Sequence, residues 1–218
     1  MNITNDKVTE YINKYYKPFD DELAELRSLC EEKEIPLILR ETEMFLRTLL
    51  TWKKPSAILE IGTAFGYSAL FFAKYVPSAS VTTMERSEYM IQNAQKTFET
   101  HKEAERINLL IGDASENLDA LNDKEEKFDF VFIDAAKSHY REFFDKAEKL
   151  CNPGAVILCD NILMKAYLVD NKAYEPTRRH RTSVKRMQEF IDYLYGRRDL
   201  SVSLLSDGDG LALIVLNE

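Results

Sequence analysis

Two stretches of the sequence end in side chains whose oxygen atoms could bind a metal ion. VILCDN (Val156 to Asn161) places Asp160 and Asn161 directly after an apolar run, and an earlier run, FID, ends at Asp134. Carboxylate and amide oxygens without sulfur or imidazole nearby suit Mg²⁺ or a similar hard cation. If the two runs form neighbouring strands, the three side chains converge and predict a metal site. The alternative is that Asp160 and Asn161 only cap a turn.

A glycine turn follows an earlier apolar run. EIGTAFGYSA, from Glu60 to Ala69, carries Gly62 and Gly66 in G-x-x-x-G spacing, which allows the backbone to approach a ligand before the next helix. Ala64 stands where a dinucleotide-binding fingerprint has its middle glycine, which disfavours NAD. Glu60 offers a carboxylate to a cationic group that NAD does not have at this point.

Acidic residues end two further strands of the predicted sheet. Glu85 lies where a ribose-binding acid belongs, and Asp113 is placed to meet an exocyclic amine. Each signal has a structural alternative, because the glycine turn could be structural, Glu85 could be a solvated strand end, and Asp113 could cap a helix. Their occurrence at three successive strand ends predicts a cofactor that contains adenosine.

A basic run lies in the last quarter of the chain. RRHRTSVKR, Arg178 to Arg186, has five Lys or Arg residues and no acid, and GRR follows at Gly196 to Arg198. The net charge of -8 disfavours non-specific binding of nucleic acid, since the summed field repels phosphate. A local cluster can still bind phosphate, and the alternative is a solvated helix face.

The elements that must position these residues follow an alternating pattern. From Ala57 onward, short apolar runs alternate with helical patterns, which is typical of a parallel sheet covered on both faces. The runs are AILEI, SVTTME, INLLIG, FDFVFID and GAVILCD. SVSLLS and LALIVL, joined by DGDG, predict an antiparallel hairpin at the sheet edge. We therefore expect an α/β fold in a single domain (1–218), with an N-terminal helical cap (1–52) and a ligand-binding core (53–218).

Bulk composition limits the cellular context. The chain of 218 residues is 45% hydrophobic, which suffices for a full core. No apolar run is long enough for a membrane span and the start is polar, so we expect a cytoplasmic protein that does not bind membranes. Three cysteines, Cys30, Cys151 and Cys159, lack C-x-x-C spacing and are interpreted as packing residues.

The motifs together resemble the cation-dependent, S-adenosylmethionine-using O-methyltransferases of the catechol and caffeoyl-CoA type. LEIGTAFGYSA, TTMERS, GDA, FIDAAKSHY and CDN carry the resemblance over nearly the whole chain. It implies a Rossmann-like methyltransferase fold with seven strands, mostly parallel. It also implies that Asp134, Asp160 and Asn161 bind the metal and that Asp134 and Lys137 are catalytic. The implied cofactor residues are Ile38, Glu60, Gly62, Gly66, Tyr67, Ser68, Glu85, Asp113, Ala114 and Asp134.

The implied chemistry is methyl transfer to one of two neighbouring oxygens. A metal chelated by both oxygens lowers the pKa of the substrate hydroxyl, and Lys137 could take the proton. Catechols present such a pair of oxygens, and so does 5-hydroxyuridine. His139 is interpreted as a structural or surface residue. Members of this type are commonly homodimers, which is expected here too.

Within this family, the sequence resembles the bacterial tRNA 5-hydroxyuridine O-methyltransferase branch. Its resemblance rests on FIDAAKSHYREFF, CDNIL, the basic run and GDGLAL, and it implies that a tRNA anticodon loop is the partner. The candidate RNA contacts are Arg178, Arg179, Arg181, Lys185, Arg197 and Arg198. The alternatives are a small-molecule catechol or phenol methyltransferase, a NAD-dependent dehydrogenase, and a non-catalytic RNA-binding module.

Overall fold

A seven-stranded sheet organises the chain. The computed structural model describes residues 5–169 and 178–217, with side chains in the last helix described from Arg181 onward. The strands are β1 (Ala57–Ile61), β2 (Ser80–Glu85), β3 (Ile107–Ile111), β4 (Phe128–Ile133), β5 (Cys151–Cys159), β6 (Leu200–Leu205) and β7 (Leu211–Leu216). Their order is β3-β2-β1-β4-β5-β7-β6. β1 to β5 pair in parallel, and β7 pairs antiparallel with both β5 and β6. The predicted mixed sheet and C-terminal hairpin are confirmed.

Eight α-helices accompany the sheet within the described residues. They are α1 (Asp6–Asn13), α2 (Asp21–Glu32), α3 (Arg40–Lys53), α4 (Tyr67–Tyr75), α5 (Glu88–Glu99), α6 (Ala114–Asp123), α7 (Tyr140–Lys149) and α8 (Arg178–Gly196). Asp20 begins α2 by accepting a hydrogen bond from the Leu23 amide at 2.8 Å, which satisfies one of the free donors of the first turn. None of the helices in the described part of the chain is long and apolar enough to cross a membrane.

The core consists of two apolar layers, one on each face of the sheet. Along β1, Ile58 faces the layer that contains side chains of α2, α3 and α4. Leu59, the next residue, faces the layer that contains side chains of α6, α7 and α8. This alternation explains why the central strands are apolar throughout, since both of their faces are covered.

Most predicted boundaries agree with the structure to within a residue or two. β5 differs, because it begins at Cys151 rather than at Gly154. The cysteines are all free, with Cys30 and Cys159 buried, which confirms their interpretation as packing residues.

Candidate active site

The ends of β4 and β5 bring the predicted metal ligands together. Ile133 pairs with Cys159 in the parallel register, and the Asp160 amide donates to the Ile133 carbonyl at 2.9 Å. Asp134 and Asp160 therefore leave the sheet side by side. Lys137 Nζ lies 3.1 Å from Asp134 Oδ1 and 2.9 Å from Asn161 Oδ1. Two of the three predicted ligands thus already share one positively charged partner.

The oxygen set fits a hard cation. Asp160 is 1% exposed, and burial, followed by the neighbouring charge of Asp134, raises the pKa of its carboxyl group to about 8. A buried acid beside a second acid is electrostatically costly unless positive charge lies close by. The ammonium of Lys137 shows that the Asp134 and Asn161 oxygens can converge on a single cation. Two carboxylates and an amide suit Mg²⁺. Within residues 5–169 and 178–217, no group of three or more His, Cys, Asp or Glu side chains offers a metal site.

The turn-cap interpretation of these residues also holds in part. Asp160 Oδ1 accepts hydrogen bonds from the Asn161 amide at 2.6 Å and from Asn161 Nδ2 at 3.1 Å. The local turn therefore fixes the two side chains relative to each other, with the Asn161 backbone at a φ of 54°. Capping and convergence on a cation are compatible, because Asn161 Oδ1 points to Lys137 while its Nδ2 holds Asp160.

Tyr140 orients Lys137, and the sequence interpretation missed it. Its buried hydroxyl accepts a hydrogen bond from Lys137 Nζ at 2.8 Å and donates to the Asp160 carbonyl oxygen at 2.7 Å. Burial raises the pKa of Tyr140 well above its usual value, so the phenol stays a neutral donor. The available signal was its spacing, three residues after Lys137 at the start of a helix, which places both side chains on one face.

Two adjoining cavities open at the carboxyl edge of the sheet. Their volumes are about 440 and about 300 Å³, and both are lined by Gly62, Glu85, Asp134 and Ala135. The predicted cofactor residues on their walls are Ile38, Gly62, Tyr67, Ser68, Glu85, Asp113, Ala114 and Asp134. Lys137 and Asn161 line the smaller cavity, so the candidate cofactor and metal sites are contiguous.

Gly62 is required where the two sites meet. Its φ is +108°, and a Cβ there would overlap the backbone carbonyl oxygen of Asp134. Gly66 has a φ of +85° and immediately precedes α4 as its N-cap residue. It does not line either cavity. A Cβ at Gly66 would lie 2.7 Å from the Phe98 ring. The first glycine therefore permits close approach of two strand ends, and the second shapes the turn.

Backbone amides fix the two acidic strand ends. Glu85 Oε1 accepts from the amides of Arg86 and Ser87, both at 2.9 Å, and its Oε2 accepts from the Ala64 amide at 3.1 Å. Asp113 Oδ1 caps α6 through the Ser115 amide at 2.9 Å, so the helix-cap alternative is correct for that atom. Since Asp113 also lines the larger cavity, both interpretations apply to it.

Glu60 is not brought to either cavity. It is fully buried on β1, where its Oε2 accepts from the Thr83 hydroxyl at 2.6 Å and its Oε1 has no hydrogen-bond partner in the described structure. Burial raises the pKa of its carboxyl group to about 7. Its interaction partners include Ser68, Asp134 and Glu85, which line the cavities, so the side chain lies directly behind the cavity wall.

His139 lies on the wall of the larger cavity, which its interpretation as a structural or surface residue did not predict. Its ring stacks on Phe143 with centroids 5.7 Å apart, and both residues line the cavity. A planar apolar wall of this kind can pack against a flat ligand ring. The i, i+4 spacing of the two rings was the signal in the sequence.

The candidate RNA contacts form two clusters along α8 and just after it. Arg178 to Arg186 occupy the first half of this helix and Arg197 follows its end, so the two basic clusters are separated by about 16 Å along the helix axis. Lys185 is exposed in the middle of the helix, beside Glu189. Arg197 follows the far end, where its guanidinium binds Glu148 and Asp199, and Arg198 next to it is exposed.

Arg186, in the same basic run, lies at the candidate active site. Its Nη1 donates to the Ser138 carbonyl at 3.2 Å, directly next to Lys137, although the sequence analysis did not select it. Arg181 is exposed on the same helix. The side chains of Arg178 and Arg179 lie outside the described residues. Arg197 is held by acidic partners on both sides.

Several known proteins that this chain resembles are O-methyltransferases. A family model described as O-methyltransferase matches residues 16–216. A caffeoyl-CoA O-methyltransferase of Populus kitakamiensis is 29% identical over 216 residues, covering 93% of this chain and 89% of that protein. A catechol O-methyltransferase of Niastella koreensis is 27% identical, covering 97% of each. The structure of an O-methyltransferase from Bacillus cereus in complex with SAH aligns with a TM-score of 0.83 at 27% identity, over 97% of each chain.

Proposed function

This chain belongs to the O-methyltransferase family, and on that basis we propose that it transfers the methyl group of S-adenosylmethionine to one of two adjacent oxygens of its substrate. The observation that carries the proposal is the convergence of Asp134, Asn161 and Lys137 beside a cavity that also contains Glu85 and Ser68. Metal-binding oxygens, a proton acceptor and a nucleotide-sized cavity are the three parts that this reaction needs.

The cofactor would occupy the two adjoining cavities. Glu85, held by three backbone amides, presents its carboxylate where ribose hydroxyl groups can donate to it. Asp113 and the stacked pair of His139 and Phe143 would meet the adenine ring. The SAH complex of the Bacillus cereus relative supports S-adenosylmethionine as the cofactor.

Asp134, Asp160 and Asn161 would hold Mg²⁺, in accord with their oxygen chemistry. Bound there, the ion supplies Lewis acidity toward a chelated hydroxyl. In its neutral amine form, Lys137 Nζ would accept the hydroxyl proton, and its hydrogen bonds of 2.8 Å to Tyr140 and 2.9 Å to Asn161 would hold the nitrogen in place. The nearly complete burial of Asp160 keeps bulk water from this edge of the site.

The two named relatives support a phenolic substrate with neighbouring oxygens, such as a catechol. A second candidate is 5-hydroxyuridine at the wobble position of tRNA, and exposed Lys185 with Arg186 next to the site favours it. The overall charge of -8 and the ion-paired state of Arg197 weigh against it. Phosphate contacts would make RNA binding fall steeply with added salt, whereas a neutral catechol would respond little.

The decisive experiment offers both acceptors to the purified protein with methyl-labelled S-adenosylmethionine and Mg²⁺. Labelled methylcatechol or labelled 5-methoxyuridine identifies the acceptor, and loss of label with a chelator supports the metal role. Asp160→Ala should abolish turnover while leaving SAH binding nearly unchanged, because Asp160 does not line either cavity. Full activity of Asp160→Ala, or activity that a chelator does not affect, would contradict the mechanism.

Association into a homodimer stays a prediction. The described residues of α1 include none that is buried, and the helix exposes Val8, Tyr11 and Ile12. Sedimentation of the intact chain and of a variant with Tyr11→Ser would test whether this surface covers a second copy. A monomer at all concentrations would contradict the prediction.

A further inference from the structure

A buried ion pair lies behind the smaller cavity, away from the candidate metal ligands. Arg27 on α2 is 4% exposed and Glu43 on α3 is fully buried, with 2.7 Å between Arg27 Nη2 and Glu43 Oε2. Buried ion pairs contribute little net stability, because removing two charges from water costs about as much as their attraction returns. Conformational specificity is the better-attested use of such pairs.

The Arg27 guanidinium connects three separate segments of the chain. Besides Glu43, it donates through Nη1 to the Ile38 carbonyl at 3.0 Å and through Nε to the Tyr67 hydroxyl at 3.1 Å. Tyr67 in turn donates to Glu43 Oε2 at 2.6 Å, which closes the network. A planar guanidinium can satisfy three acceptors in fixed directions, which an ammonium group cannot do.

Two of these partners are walls of the smaller cavity. Ile38 belongs to the segment between α2 and α3, and Tyr67 is the first residue of α4, next to Ser68. Arg27 itself does not line the cavity. Within the described residues, its bond to Ile38 is the one side-chain hydrogen bond to the backbone of residues 36–39. The segment therefore depends on Arg27 for its position relative to α4.

We propose that Arg27 is a positioning residue that holds the Ile38 segment against the beginning of α4 and so sets the width of the cofactor cavity. This inference rests on the proposed cofactor site. It makes the N-terminal helical cap part of the binding machinery, since α2 and α3 supply the charges that fix the cavity wall. Arg27 does not touch the reacting atoms, so its substitution acts on cofactor affinity rather than on the chemical step.

The test compares Arg27→Met with Arg47→Met. Arg47 also forms an ion pair with Glu43, through the other carboxylate oxygen, but it bonds neither Ile38 nor Tyr67. Both variants lose one ion pair with the same buried acid. Arg27→Met should weaken SAH binding by about ten- to a hundredfold and raise the KM for S-adenosylmethionine, with kcat at saturating cofactor nearly unchanged. Arg47→Met should bind SAH like the unmodified protein.

Arg27→Lys keeps the buried positive charge and covers the case in which Arg27→Met does not fold. It should also weaken SAH binding, since an ammonium cannot reach all three acceptors. Wild-type affinity in Arg27→Lys, or an equal loss of affinity in Arg47→Met, would overturn the positioning role.

Hydrogen exchange separates this inference from the proposed function. Amides of residues 37–39 should exchange faster in the Arg27 variants than in Arg47→Met, whether or not a cofactor is present. If the unmodified protein binds no SAH, the proposed function fails while the exchange result still decides the role of Arg27. Unchanged exchange in the Arg27 variants would overturn the inference.

Discussion

Replacing Glu60 by glutamine should remove a pH-dependent loss of stability. The Glu60 carboxyl group is fully buried on β1, and its Oε1 has no hydrogen-bond partner among the described residues. Burial is the main cause that raises the pKa of this group from 4.5 to about 7. The neutral acid is therefore the form that the folded protein favours.

The direction of this pH dependence follows from the number of protons that the folded and unfolded states bind. Between pH 4.5 and 7 the unfolded chain has lost the Glu60 proton while the folded protein keeps it, so the free energy of unfolding falls as pH rises through this window. At 1.36 kcal/mol for each pH unit between the two pKa values, the loss is about 3 kcal/mol above pH 7. Glutamine resembles the protonated acid and does not titrate, so Glu60→Gln avoids the loss.

Urea unfolding at several pH values measures this difference. Glu60→Gln should match the unmodified protein near pH 4.5 and exceed its stability by about 3 kcal/mol at pH 8. The two proteins share their other ionisable groups, so the difference reports on Glu60 and its interaction with the neighbouring charges of Asp134 and Glu85. Glu99→Gln, at an exposed position on α5, serves as the control and should show no pH-dependent difference. A stability difference between Glu60→Gln and the unmodified protein that is constant with pH would refute the reasoning.

Further substitutions test Gly62, which lies where the candidate cofactor and metal sites meet, and the basic residues of α8 and the segment after it. Gly62→Ala should destabilise the fold by more than about 2 kcal/mol and weaken SAH binding, because its Cβ would overlap the Asp134 carbonyl. Gly196→Ala, where a Cβ meets open space, is the matched control in thermal unfolding and SAH titration. Arg197→Met should lower Tm and change tRNA affinity by less than about twofold, because its guanidinium is held by acidic partners. Replacing Lys185 and Arg186 together should reduce the slope of the logarithm of the tRNA binding constant against the logarithm of the salt concentration by about two. A salt-dependent loss of tRNA affinity in Arg197→Met would contradict the interpretation of that residue as structural.

The sequence by itself determined the type and order of the elements. The central strands are apolar throughout because both of their faces are covered, and this pattern is local, so β1 to β4 could be located to within a residue. The polar residues at strand ends, Glu85, Asp113, Asp134 and Asp160, were equally visible, since a charge directly after a buried strand is unusual.

Only the tertiary structure decided which of these residues meet. The register of β4 and β5 places Asp134 beside Asp160, and the fold brings Arg27, Glu43 and Tyr67 together from separate helices. Glu60 shows the opposite case, because it lies two positions before Gly62 but is fully buried behind the cavity wall and lines neither cavity. Local patterns report which side chains prefer the interior, whereas strand order and helix packing determine their distances to residues far away in the chain.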